Sequence, residues 1–334
     1  MAEPLGPATI RVGDVDVPGR VALAPLAGYT EYPFRATVAR FGCVLAVTPL
    51  ISAEGLLRRN RNTTRLLASG EDDASLVAAQ IFGSRPAAMA EAAKIVADAG
   101  FPLVDLNLGC PARKIKKQRA GAALAADMGA LRRVARAVVA ASPVPVTAKM
   151  RLPNEAGGTG SVATAKLLCE EGVAGLAVHG RTAEQGLRGT VDCAAVGEIA
   201  AAAPVPVWAN GAVETPRDAE ILLKETGADG IMIGRAAVRM PDLINRVERY
   251  LAEGEAPTPT PPGELADAIL SHFDRAAALD GEEHAARQFR KHLLAYLKHV
   301  PGATALRGRA AAIRGREDVV AVLEEYEGLA EYGT

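Results

Sequence analysis

Val205-Pro206-Val207-Trp208-Ala209-Asn210-Gly211-Ala212 and, further on, Gly230-Ile231-Met232-Ile233-Gly234-Arg235-Ala236 decide the fold. Each is a short apolar run that breaks into a polar residue and a glycine, and each is followed by a segment of helical period. The same unit recurs upstream. Strands are predicted at 21–24, 44–48, 76–82, 103–107, 144–149, 175–179, 205–210 and 230–234. Helices are predicted at 86–99, 128–141, 162–171, 194–203 and 216–226. Two of these helices open on proline, which suits a first helical turn. Buried strands alternating with helices form an open doubly wound sheet or a closed barrel, and eight units favour closure. The prediction is an α/β (β/α)8 TIM barrel over residues 1–250.

After Leu251 the chain reads Ala-Glu-Gly-Glu-Ala-Pro-Thr-Pro-Thr-Pro-Pro-Gly. Its prolines remove donors and fix extended backbone, so a linker is predicted at 251–263. From 264 to 334 the pattern is helical, with Leu265, Ile269 and Phe273 on one stripe and Phe289, Leu293, Leu294 and Leu297 on another. That pattern predicts a small all-α bundle. Four cysteines without a Cys-x-x-Cys pair exclude a disulfide framework or zinc knuckle, so no metal is expected. No run of eighteen apolar residues occurs, and Met1-Ala2-Glu3-Pro4 does not open a signal peptide. A soluble, cytoplasmic, monomeric protein without membrane contact is expected.

In a barrel the active site lies at the C-terminal ends of the strands. Gln80 lies in the third predicted strand, Asn107 ends the fourth with Cys110 just beyond, Lys149 ends the fifth, His179 the sixth and Asn210 the seventh. Gly234-Arg235 ends the eighth. Any one of these alone reads as an ordinary loop residue; six at equivalent positions do not. The loops after strands seven and eight commonly bind phosphate. Gly211, Ala212 and Gly234 allow close backbone approach there, and Arg235 can pair with phosphate oxygens. Lys149, which could otherwise be a surface lysine, follows an apolar run and is suited to balance the negative charge of a reduced flavin. Cys110 could be a small buried hydrophobe, but Arg113, Lys114, Lys116, Lys117 and Arg119 trail it. A cationic, polar loop suits either a nucleophile or an acid that must release its proton.

Read in order, Ala24-Pro25-Leu26-Ala27-Gly28-Tyr29-Thr30, Asp105-Leu106-Asn107-Leu108-Gly109-Cys110-Pro111, Lys149-Met150-Arg151, Val178-His179-Gly180-Arg181-Thr182, Asn210-Gly211 and Ile233-Gly234-Arg235 resemble the tRNA-dihydrouridine synthases. The stretch Ala286-Arg287-Gln288-Phe289-Arg290-Lys291-His292 looks like the tail of the bacterial B-type members. The resemblance implies reduction of the C5–C6 bond of uridines in tRNA, with FMN bound in the barrel and NADPH as reductant. It also implies hydride transfer from flavin N5 to C6 and protonation of C5 by Cys110. Pro25, Leu26 and Ala27 should line the flavin; Gln80, Lys149 and His179 should contact its rings; Asn210, Gly211, Ala212, Gly234 and Arg235 should hold its phosphate end. Asn107 should lie near the target base. Arg113, Lys114, Arg151, Arg181, Arg287, Arg290 and Lys291 are the expected substrate contacts. The chain departs from the family pattern at Leu26, where methionine is usual, at Pro49, where an acidic residue is usual, and near Met240, where an aromatic is usual.

Formal net charge is −1, so nucleic-acid contact would rest on local clusters. Three exist: Arg58, Arg59, Arg61 and Arg65; the run after Cys110; and Arg287, Arg290, Lys291, Lys298, Arg307, Arg309, Arg314 and Arg316 in the tail. Charge runs are usually solvated faces, and the tail's plainer role is to cover the barrel flank. Two rivals remain. One is an FMN barrel oxidoreductase acting on a small enone or free pyrimidine, and the other is a non-catalytic RNA-binding protein on a relic barrel. A loose glycine fingerprint at Gly158-Thr159-Gly160-Ser161-Val162-Ala163 lacks an acidic ribose partner at the right distance and is expected to be a mobile loop.

Overall fold

The computed structural model describes residues 4–74, 76–153, 159–300 and 302–331. Among them, eight parallel strands form the central sheet: β1 (Val21–Leu23), β2 (Leu45–Val47), β3 (Leu76–Phe82), β4 (Leu103–Leu108), β5 (Val146–Leu152), β6 (Gly175–Thr182), β7 (Val207–Asn210) and β8 (Gly230–Ile233). Neighbours pair in sequence order. The sheet closes through β8 on β1, with Ile231 opposite Val21, and through β2 on β3, with Leu45 opposite Leu76. All eight predicted strands are present, as a closed TIM barrel. Two short elements escaped the sequence reading: an antiparallel hairpin, Thr9–Val12 with Val15–Pro18, and a two-residue strand, Ile51–Ser52, beside β3.

The strands are buried on both faces, which hides their alternation in the sequence. In β4 all six residues are buried. Val104, Leu106 and Leu108 join the outer core shared with the helices, whereas Leu103 belongs to the cluster inside the barrel floor. Ile10, Val12 and Val17 of the hairpin belong to that same inner cluster with Trp208 and Met232, so the hairpin plugs the N-terminal end. Gly230 is needed beside this plug: a Cβ there would lie 2.5 Å from both the Trp208 ring and the Arg20 carbonyl.

Several boundaries differ from expectation. β5 and β6 run to Leu152 and Thr182, so Lys149 and His179 sit inside their strands and do not end them. The ladder extends because Arg151 is paired opposite His179, with a register shift before Leu152 pairs with Thr182. The helix Thr159–Glu170 takes in most of the supposed mobile loop, since Ala165 and Leu168 anchor it in the core; Gly158 lies outside the described residues. The helix Leu243–Glu253 runs past the expected start of the linker and ends at a left-handed Gly254. The next helix, Pro262–Asp280, begins on the last proline of the run.

Tail helices Pro262–Asp280, Glu282–Tyr296, Thr304–Ala310 and Arg316–Glu331 share one continuous core with the barrel. The joint is aromatic. Phe34, on the barrel helix Tyr32–Arg40, lies 5.7 Å between centroids from both His272 and His292. Its neighbour on that helix, Arg35, is fully buried. Arg35 donates to Asp73 from Nε (3.1 Å) and Nη2 (2.6 Å), to the Ala68 carbonyl (2.8 Å) and to the Thr30 carbonyl (3.1 Å). Both charges in this knot are paired and hydrogen-bonded, which is what a buried ion pair requires. Asp73→Ala strands the guanidinium and is expected to cost about 3–5 kcal/mol in urea denaturation. A loss under about 1 kcal/mol, the range of exposed pairs, would refute that role.

Candidate active site

The pocket at the C-terminal mouth of the barrel is lined by fifteen of the residues the sequence singled out: Pro25, Leu26, Ala27, Gln80, Asn107, Cys110, Lys149, Arg151, His179, Arg181, Asn210, Gly211, Ala212, Gly234 and Arg235. Register explains the convergence. Asn107 is the ladder partner of Lys149, and His179 is the partner of both Arg151 and Asn210, so their side chains rise to similar height around the rim.

Below them runs a chain of hydrogen bonds. Thr147 Oγ1 donates to Asp105 Oδ1 (2.6 Å) and Gln80 Nε2 donates to Asp105 Oδ2 (2.7 Å). Asn107 Nδ2 donates to Gln80 Oε1 (2.7 Å), and the Cys110 backbone N–H donates to Asn107 Oδ1 (3.1 Å). Burial pushes the Asp105 carboxyl up to about 6, against the opposing pull of Thr147, Gln80 and Lys149. Asp105, Thr147 and Gly121 were missed as site residues. The signal for Asp105 was present, a carboxylate within the apolar run Leu103-Val104-Asp105-Leu106. At Gly121 φ is +61°, and a Cβ would lie 2.7 Å from the Cys110 carbonyl oxygen. Nothing in the local sequence discloses that contact.

The Cys110 loop is held from a second side by Arg151, whose Nε donates to the Gly109 carbonyl (2.9 Å) and whose Nη1 reaches the Gly186 carbonyl (2.8 Å). Arg181 is likewise committed, donating to the Gly189 carbonyl from Nε (3.0 Å) and Nη2 (2.9 Å). Its Nη1 lies 3.4 Å from His179 Nε2. A guanidinium only donates, so that ring nitrogen is the acceptor and the imidazole is neutral. Burial, then the charges of Lys149, Arg151, Arg181 and Arg235, lower His179 to about 2. Pro49, in the family's acidic position, leaves its loop supported by Thr48, whose Oγ1 donates to the Pro49 carbonyl and accepts the Gln80 N–H, both at 2.9 Å.

Lys149 is buried, yet among the described residues it donates to no protein acceptor. Burial first and Arg151 second bring its ammonium down to about 7, with Asp105 opposing. Arg235 is exposed at the start of the helix Arg235–Arg239 and likewise has no hydrogen-bonded partner among the described residues. Gly211 has φ +136°, and a Cβ there would meet Val191 at 2.8 Å and the His179 ring at 3.3 Å. Two unsatisfied cations beside Gly211 and Gly234 form a site suited to an anionic ligand.

Five expected substrate contacts lie outside this pocket. Arg113 and Lys114 are exposed on the short helix Arg113–Lys116 that follows Cys110. Arg287 is exposed and paired with Glu283. Arg290 turns inward, donating to the Ile313 carbonyl from Nε (3.1 Å) and Nη2 (2.9 Å). Lys291 places Nζ 5.7 Å from the Tyr29 ring centroid, beside the 25–30 loop that lines the pocket. Arg65 and Arg316 are taken up by Asp280 and Asp274.

A family model described as dihydrouridine synthase matches residues 22–330. The tRNA-dihydrouridine synthase B of Pseudomonas aeruginosa is 36% identical over 301 residues, covering 90% of each chain. That of Xanthomonas axonopodis pv. citri is 38% identical over 293 residues, covering 87% of this chain and 88% of that protein. Among solved structures, a variant of NCR from Zymomonas mobilis matches with a TM-score of 0.51 at 18% identity, over 75% of this chain and 92% of that one, a likeness of fold alone. Because the family match begins in the first barrel strand and ends in the last tail helix, the chain belongs, barrel and tail together, to the dihydrouridine synthase family.

Proposed function

We propose that this protein is a cytoplasmic tRNA-dihydrouridine synthase that reduces the C5–C6 bond of a D-loop uridine, using FMN held in the barrel mouth and NADPH as reductant. One observation carries the reading. Lys149 and Arg235, unpaired among the described residues, line the same pocket as Cys110, together with Gly211 and Gly234. When bound, the flavin supplies the hydride that reaches C6, and nicotinamide restores it. The chain's own residues do the rest. Pro25, Leu26 and Ala27 wall the ring system, Lys149 balances negative charge at its pyrimidine edge, and neutral His179 donates or accepts without adding charge. Asn210, Gly211, Ala212, Gly234 and Arg235 hold the phosphate end. Asn107 lies beside the uracil, and the Cys110 thiol, half-exposed on the rim, gives its proton to C5.

A uridine in folded tRNA must be turned outward to reach this depth, which calls for cations gripping the backbone around the mouth. Arg113 and Lys114 on one side and Arg287 and Lys291 on the other are suited to that grip, with residues 264–334 as the tRNA-binding unit; 332–334 lie outside the described residues.

Cys110→Ala is expected to bind flavin and accept reducing equivalents from NADPH normally while losing dihydrouridine formation, read by mass spectrometry of tRNA. Near-normal product would defeat the proton-donor role. Arg287→Ala with Lys291→Ala is expected to weaken tRNA binding and make its log–log salt dependence shallower by about one to two units, with flavin retained. An unchanged slope would remove the tail from the binding surface. Arg290 is left intact because its bond to Ile313 would confound the result. Lys149 gives a pH test in flavin-free protein. Its folded value near 7 lies below the ordinary 10.5, so between them the unfolded chain holds a proton that the folded chain lacks. Stability should therefore rise with pH across that window, and Lys149→Met should flatten the rise in urea midpoints. Equal slopes for both proteins would contradict the burial argument.

A further inference from the structure

We propose that Asp105 is a positioning residue: by accepting only, it sets the direction of the amide chain through Gln80 and Asn107 and thereby holds the Cys110 loop against the pocket. Its relevance to turnover rests on the role of Cys110 proposed above; the geometry does not. The chain climbs the inside of the barrel. Gln80, Asp105 and Thr147 are direct ladder partners across β3, β4 and β5 and form one layer. Asn107 stands two residues nearer the mouth, and the Cys110 N–H closes the series above it.

Each amide side chain has a donor end and an acceptor end and can be turned over at little cost in shape. Direction must come from the termini. An ionised carboxylate can only accept, so Gln80 must aim Nε2 at Asp105, leaving Oε1 for Asn107 Nδ2. Asn107 must then aim Oδ1 at the Cys110 N–H, a donor that cannot turn over. Reversal of the two amides would set Asn107 Nδ2 against that N–H, donor against donor. Gln80 is fully buried and Asn107 and Asp105 nearly so, leaving little room for water to repair the mismatch. Asp105 accepts from Thr147 with its other oxygen, so neither carboxylate oxygen is left without a donor.

The arrangement makes a prediction that packing alone does not. Asp105→Asn preserves shape but offers a donor end, so one of the two termini that fix direction is lost and only the Cys110 N–H still opposes reversal. Adding Gln80→Glu restores an acceptor-only group one step along. The carboxylate introduced at position 80 accepts from the amide introduced at position 105 and from Asn107, and Asn107 Oδ1 faces Cys110 again. The carboxylate can also be moved to the far end, in Asn107→Asp combined with Asp105→Asn. Backbone hydrogen exchange at Cys110 is read in the full-length protein, with and without FMN. The single Asp105→Asn variant should exchange that amide about tenfold faster, the scale of one ordinary hydrogen bond, and both double variants should return toward the parent rate. No acceleration in the single variant, or no recovery in either double variant, overturns the proposal. Failure of all three to fold would mark these groups as core packing and overturn it as well. Dihydrouridine formation is not the readout, so a negative result leaves the proposed activity standing, and a product-forming Cys110→Ala would remove that activity's acid without touching the exchange result.

Discussion

Closure of the sheet is the constraint on which everything else rests. β2 pairs with β3 and β8 returns to β1, so the ring of eight strands is continuous and every strand points the same way. A single direction places every strand's C-terminal end on one rim. A closed circle then brings the 25–30 loop after β1 within reach of Arg235 after β8 and opposite Lys149 on β5. In an open sheet the same residues would line an edge-to-edge row with no shared pocket. The hairpin plug of Ile10, Val12 and Val17 makes closure stable by filling the opposite end with apolar side chains.

Within that circle the inward positions grade from apolar to charged. Asp105 and Thr147 line a small inner cavity with Val12, Trp208 and Met232, and Lys149, His179 and Asn210 line the mouth pocket. Positive charge dominates the top. Arg151 and Arg181 are bonded to loop carbonyls, which fixes the mouth's shape, whereas Lys149 and Arg235 are left open among the described residues. The bonded guanidiniums shape the mouth, and the unbonded cations remain available to a ligand. Asp105 offsets part of this positive field from beneath.

The tail is attached through aromatic and imidazole rings, with the ion pairs Arg65–Asp280 and Arg275–Asp72 beside them. His272 and His292 meet edge to face at 4.6 Å, His272 shares a hydrogen bond with the Tyr296 hydroxyl (2.9 Å), and Tyr29 of the pocket loop packs on His292 at 5.0 Å. Burial keeps both imidazoles neutral, lowering His292 to about 3. These buried ring contacts fix the tail to the loop that walls the pocket. Lys291, one residue before His292, is thereby held over Tyr29, at the boundary between tail and active-site mouth.

The amino-acid sequence by itself determined the number and order of the strands, because an apolar run ended by a polar residue and glycine is a local signal. It also marked most of the pocket, since functional residues of a barrel cluster at strand ends. It could not say that Arg290 faces Ile313 while Arg287 faces solvent, because both stand in one basic run and only packing separates them. Nor could it disclose Gly121 under Cys110, or the direction of the chain from Cys110 down to Asp105. Those depend on which atoms meet across strands far apart in the chain. Hydrogen-bond direction belongs to the assembled barrel, where a carboxylate and a backbone N–H, brought together by register, leave the amides between them one way to point.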